Sequence, residues 1–231
     1  MKRQTMLAIL VAAMIVNSPC YASPSVGGSV TIRDQNGHSK SDSSGVIVFL
    51  DDLENAPALA VPQERPKMRQ ANKKFNPETL PVLAGTTVDF PNDDRIFHNV
   101  FSLSRAKPVD LGIYGQGVVK SVLFDKPGLV KMYCNIHPNM VGYVLVLANP
   151  YFTQTDSQGR FVIPNAPLGK AVVRFWYSRT RDQTEQEIHV TEKGVQDLHF
   201  NLVEGVRFEI QEEVIPIQHK NKLGQEYPAR Y

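Results

Sequence analysis

The amino-acid sequence predicts an all-β protein. Helical periodicity is hard to find after residue 22, short alternating or apolar runs recur along the remainder, and the 15 glycines and 16 prolines gather between those runs. Taken in order, Ser29–Arg33 alternates apolar and polar residues, and Val46–Leu50 is continuously apolar. Thr86–Phe90 alternates again, while Asn99–Ser102, Ser121–Phe124 and Leu129–Tyr133 are short, mostly apolar runs. Gly142–Leu147 is strongly apolar, Gly159–Ile163 and Ala171–Tyr177 are rich in β-formers, and Glu187–Val190 and Asp197–Leu202 alternate. Turn chemistry separates them at Asn36-Gly37, Lys126-Pro127-Gly128, Ser157-Gln158-Gly159 and Pro167-Leu168-Gly169. Regular short strands with this punctuation point to sandwiches or barrels.

Composition shifts between Asp51 and Asn76, where Pro57, Pro62, Pro66 and the adjacent Pro77 sit among charges and small residues, as in a linker or irregular crossing. A second seam falls at Ala148-Asn149-Pro150. The final stretch, 204–231, opens with an alternation at Val206, Phe208 and Ile210 and predicts a C-terminal strand followed by a loose tail.

Residues 1–22 read as a secretory signal peptide: Lys2 and Arg3, an apolar run from Met6 to Val16, then Cys20-Tyr21-Ala22 ending on small residues. The run is too short to span a bilayer, so the expectation is export to the periplasm, or secretion, without a membrane span. The whole chain has 25 basic and 23 acidic residues. Loss of Lys2 and Arg3 brings them level at 23 each, and the absence of Lys/Arg clusters leaves no footprint for nucleic acid or anionic membrane. Cys20 leaves with the signal, the preceding Asn17-Ser18-Pro19 being a poor lipoprotein signal. Cys134 then stands alone in an oxidising compartment, either as a buried inert thiol or as a sulfur with an occupant.

Its neighbours favour an occupant. Met132-Tyr-Cys-Asn-Ile-His-Pro-Asn-Met140 sets a thiolate, an imidazole and a thioether at C-x-x-H-x-x-M spacing between two apolar strands, and His98 opens an earlier strand. Two His, one Cys and a weak axial Met form the donor set that favours one copper ion, cycling between +1 and +2. Structural zinc rarely uses Met, and a Cys-His hydrolase would need an oxyanion hole that nothing around Cys134 offers. His38, His189, His199 and His219 form no cluster, and only Met68, Met132 and Met140 remain after residue 22, which argues against bulk copper storage.

At these residues the sequence resembles the cupredoxins, specifically plastocyanin- and amicyanin-like members, from about Lys67 to Leu147. The likeness takes in Phe75-Asn-Pro-Glu-Thr-Leu-Pro-Val-Leu-Ala-Gly-Thr-Thr-Val-Asp-Phe-Pro-Asn-Asp93, His98-Asn99-Val100, the Phe124-Asp-Lys-Pro-Gly128 turn and the short ligand loop with Pro138 directly after its histidine. The resemblance implies a Greek-key sandwich over 61–148, with His98, Cys134 and His137 as strong ligands and Met140 as the weak axial one. It implies that Asn99 hydrogen-bonds across to the ligand loop beside Cys134, and that the His137 edge with Pro138 forms an apolar docking patch for a transient redox partner.

A second resemblance begins at Thr155-Asp-Ser-Gln-Gly-Arg-Phe and continues through Pro167-Leu-Gly169 to Trp176, similar to transthyretin-like and carboxypeptidase-regulatory β-sandwiches. The opening strands of that fold match Gly28-Ser-Val-Thr-Ile-Arg-Asp-Gln-Asn-Gly37 and Gly45–Leu50 instead of anything just before Tyr151. The expectation is a smaller, discontinuous sandwich, 26–55 and 149–203, with the copper domain threaded between its strands. A tandem order is the alternative, and pairing of strand 46–50 with 171–177 discriminates the two. The whole chain resembles periplasmic proteins labelled methylamine-utilisation-like, whose common Trp-His is Trp176-Tyr177 here, which puts a metal role at that position in doubt. The expected function is a type 1 (blue) copper one-electron carrier and not an enzyme. A copper-stabilised binding module of the cell envelope without a redox role is the alternative, and a subunit supplying copper to an oxidase is a weaker third. The oligomeric state is open.

Overall fold

The computed structural model describes residues 23–55, 63–180 and 184–205. The signal segment 1–22, Pro57 and Pro62 of the expected linker, and residues 206–231 of the expected C-terminal strand and tail lie outside them. Among the described residues there is no helix, and the all-β expectation holds. The strands are β1 (Val26–Arg33), β2 (Ile47–Asp51), β3 (Arg69–Ala71), β4 (Lys74–Asn76), β5 (Thr79–Leu83), β6 (Thr86–Pro91), β7 (His98–Ser102) and β8 (Val109–Tyr114). They continue as β9 (Val119–Phe124), β10 (Gly128–Tyr133), β11 (Val141–Leu147), β12 (Phe152–Gln154), β13 (Arg160–Ile163), β14 (Gly169–Trp176), β15 (Glu185–Val190) and β16 (Val195–Val203).

The first core lies between a three-stranded sheet, ordered β13-β1-β16, and a four-stranded sheet, ordered β12-β2-β14-β15. β1 runs parallel to β16, and β2 pairs antiparallel with both β12 and β14, through contacts such as Val48 with Phe175. Val30 and Ile32 from one sheet meet Val48, Leu50, Val173 and Phe175 from the other. Gly159 holds the Asp156–Arg160 turn beneath this sheet at a φ of +75°, and a Cβ there would sit 1.9 Å from the Val30 carbonyl. Only glycine fits.

The second core is built from β3 to β11, which pair among themselves. A five-stranded sheet, ordered β5-β11-β10-β7-β8, faces the β6-β9 ribbon. Val100, Val130, Met132, Val144 and Val146 pack against Val88, Phe90, Val122 and Phe124.

The two cores share a wall. All five residues of β2 are buried, as are six of the seven in β11. Strand side chains alternate between faces, so a strand buried throughout must have protein on both sides. Here Ile47 and Phe49 of β2, Tyr143, Leu145 and Leu147 of β11, and Trp176 form a third cluster between the cores. The Tyr143 and Trp176 rings lie 5.3 Å apart.

Five strands fall outside the candidate runs: β3, β4, β5, β8 and β12. The region between Asp51 and Asn76, expected to be a linker, contains the β3-β4 hairpin. Its strands are only three residues long, too short for alternation to mark them although Phe75 is buried; the hairpin is made by its turn, where Asn72 and Lys73 both adopt φ of +55°. Gly112, inside β8 at φ +66°, breaks that strand's pattern in the same way.

Candidate metal centre

β10 runs antiparallel beside β7, with Tyr133 opposite Phe101, so the chain leaving β10 heads toward the start of β7. His98 is the first residue of β7, and Cys134 follows the last residue of β10. The chain then turns through His137 and Met140 before β11 begins, and the Met140 amide donates to the His137 carbonyl at 2.9 Å, closing a tight loop. Residues 36 positions apart in sequence are thereby brought into contact.

The Cys134 sulfur lies 3.8 Å from His98 Nδ1 and 3.7 Å from His137 Nδ1. The three ligand atoms all lie within 4.8 Å of one another, and this is the group of metal-capable side chains found among the described residues. The donor distances fit a single ion. Metal–thiolate and metal–imidazole bonds of about 2.3 and about 2.0 Å, splayed by roughly 120° as in a trigonal His₂Cys site, place sulfur and nitrogen roughly 3.7 Å apart. His98 is fully buried, Cys134 is 3% exposed and Met140 is 1% exposed. Met140 belongs to the same apolar cluster as Cys134, and His137 is half-buried at the edge.

Behind His98 stands Asp94, which sequence reasoning missed. Its carboxylate lies 2.8 Å from His98 Nε2 and accepts the backbone N–H groups of Asn72 at 2.7 Å and Lys73 at 2.9 Å. A proton on Nε2, shared with Asp94, leaves the Nδ1 lone pair facing Cys134. Burial alone would raise the Asp94 acid, but the Lys73, His98 and Asn72 donors outweigh it and hold it below the ordinary carboxylate range. Burial, aided by His98 and Lys73 and opposed by Asp94, pushes the His137 imidazole below its ordinary value. The shift favours the neutral imidazole, the form that binds metal. The signal available in sequence was an acid four residues before a strand-opening histidine.

Asn99 differs from expectation. Its side-chain nitrogen donates to Asp110 on β8 at 2.7 Å, and its oxygen is buried without a partner. A register irregularity between Asn99 and Phe101 in the β7-β8 pairing accompanies this placement, and the expected bond to the ligand loop is not formed. The Asp110 carboxylate, which also takes the Gly112 N–H, satisfies the donor from the other side. Beside His137 in sequence, Pro138 is exposed and Ile136 is 43% exposed, while Phe97, which precedes His98, is 64% exposed with its ring against Gly115. The other described histidines stand apart: His199 contacts Ser29, His38 contacts Asp34, and His189 lies exposed on β15.

No family model matches the sequence, and no curated protein matches it. Solved structures that it resembles include a cupredoxin and copper-containing proteins. One is a copper-containing nitrite reductase (NirK) from Thermus scotoductus SA-01, 26% identical over 40% of this chain and 24% of that one, with a TM-score of 0.36. This chain therefore spans about a quarter of that reductase. A purple cupredoxin from Nitrosopumilus maritimus is 26% identical over 36% of this chain and 99% of that one, with a TM-score of 0.32. The Cu(I) form of an amicyanin mutant is 22% identical over 43% of this chain and 99% of that one, with a TM-score of 0.35.

Proposed function

We propose that this chain is a type 1 copper one-electron carrier of the periplasm, exported by way of residues 1–22. The observation that carries the reading is the buried Cys134 sulfur flanked at 3.7 and 3.8 Å by the Nδ1 atoms of two imidazoles. His98, Cys134 and His137 would hold the ion, and Met140 would supply a weak thioether donor. When bound, one copper ion supplies a reversible single-electron couple, Cu(II) to Cu(I).

The chain's own residues do the rest. β7 carries His98, Cys134 directly follows β10, and the Met140-to-His137 hydrogen bond tightens the loop that carries the other two. Four protein donors on a packed frame leave little to rearrange between oxidation states, which favours rapid transfer and leaves no open position for substrate. The half-buried His137 edge, with Ile136 and Pro138 beside it in sequence, offers an apolar face for transient contact with a redox partner. The pairing of β2 with β12 and β14, on either side of β3–β11, supports a discontinuous transthyretin-like sandwich carrying the copper sandwich as an insertion.

Copper-loaded protein is expected to show an intense visible thiolate-to-copper band and a reversible one-electron wave, with one copper per chain. Cys134→Ser should lose the band while the protein remains folded. A colourless copper form of the wild type would overturn the reading.

A further inference from the structure

The 92–94 segment is stitched to the β3-β4 hairpin at every residue. Asn92 bridges to Gln70, Arg69 donates to Asp93 at 2.8 Å, and Asp94 takes both turn N–H groups. Asp94 alone of the three reaches onward, to Nε2 of the fully buried His98. Its two oxygens divide the work: Oδ1 accepts Asn72 N–H, while Oδ2 accepts Lys73 N–H and faces the imidazole. The carboxylate is therefore held in place by backbone groups and cannot swing away from the ring without breaking the turn.

We propose that Asp94 is a positioning residue that fixes His98 in the Nε2-protonated tautomer and biases the centre toward its oxidised state. This rests on the reading of the same site as a copper centre. Partners on the outer nitrogen of a metal-bound histidine orient the ring and raise its basicity. An ion that is one charge more positive when oxidised is stabilised by a negative group beyond the imidazole, and burial strengthens that attraction. Asp94 thus holds the reduction potential below that of an equivalent site lacking the charge. The same residue ties the hairpin to the ligand, so the turn backbone supports the metal site without touching it.

Asp94→Asn and Asp94→Ala separate the two roles. The carboxamide keeps an acceptor oxygen but removes the charge, whereas alanine removes both. In metal-free protein at alkaline pH, nitrogen NMR of the His98 ring is expected to show the proton on Nε2 in wild type and in D94N, and both tautomers in D94A. In copper-loaded protein, D94N should retain the visible band and raise the Cu(I)/Cu(II) ratio at a fixed applied potential at least tenfold, a rise in midpoint of ~59 mV for a one-electron couple. Asp94→Glu, which restores the charge, should move the midpoint back toward wild type. The Asn92 and Asp93 contacts keep the hairpin in place, so folding can be checked independently by circular dichroism. Wild-type His98 protonated on Nδ1, or a D94N midpoint that does not rise, would overturn the proposal. A copper form without the band defeats the copper reading instead, and the ring-nitrogen spectra then decide the positioning role alone.

Discussion

The Cys134 thiol sits between two imidazoles with 3% of its surface exposed, where it is shielded from oxidants and its lone pairs converge with two nitrogen donors. A metal ion binds such a thiol as the thiolate, so apparent copper affinity should fall as pH drops and the donors protonate. Met140 makes a separate test possible because it is 1% exposed and packs in the core. Met140→Leu nearly conserves volume and should change stability by less than about 1.5 kcal/mol. The same variant should visibly alter the spectrum and midpoint of the copper form, since the thioether is gone. A spectrum identical to wild type would remove Met140 from the donor set. Gly159 is the backbone counterpart. With a φ of +75° and the Val30 carbonyl in the way, Gly159→Ala should cost more than about 1 kcal/mol by urea titration. This glycine was legible in sequence as the turn of the Thr155–Phe161 motif, whereas Asp94 was hidden because its partners, Asn72 and Lys73, lie 22 and 21 residues away.

Among the elements, those with an alternating or continuous apolar pattern were readable, and those made by their connections were not. β6 and β16 alternate because one face is buried and the other wet. β3 and β4 carry no pattern and exist through the Asn72-Lys73 turn and the carboxylate beneath it. The end of β16 illustrates an electrostatic closure. Glu204 meets Lys40 from the β1-β2 connection and Arg179 beyond β14. Burial opposes its ionisation, but the two cations prevail and its acid lies below the ordinary 4.5. A lowered folded-state value means that the carboxylate form is the one favouring the fold. Its contribution is complete above about pH 4.5 and disappears as pH falls through the lower folded value. Glu204→Gln should therefore be less stable than wild type at pH 7, with the gap closing below pH 4 in denaturant titrations.

At the scale of the whole molecule, the two cores meet across β2, β11 and β14, with Trp176 and Tyr143 in contact. Because β11 runs directly from Met140, packing on its far face bears on the loop that carries three candidate ligands. Trp176 is 6% exposed, and its truncation in Trp176→Ala should cost about 3–5 kcal/mol. If the sandwiches are energetically joined, thermal unfolding of wild type should be a single transition and that of the variant should split in two. A single transition of unchanged midpoint would show that the shared wall contributes nothing.

The sequence by itself determined the strand-rich class, the turn positions, and the soft donor set packed into Cys134–Met140, because each depends on residues close together along the chain. It also marked β11 as apolar throughout, without saying why. Tertiary structure alone decided that β11 and β2 are covered on both faces, that Asn99 turns to Asp110, and that Asp94 stands behind His98. These are contacts between segments whose separation in sequence carries no periodic trace. Their energies come from burial and hydrogen bonds that exist only once the two cores have closed.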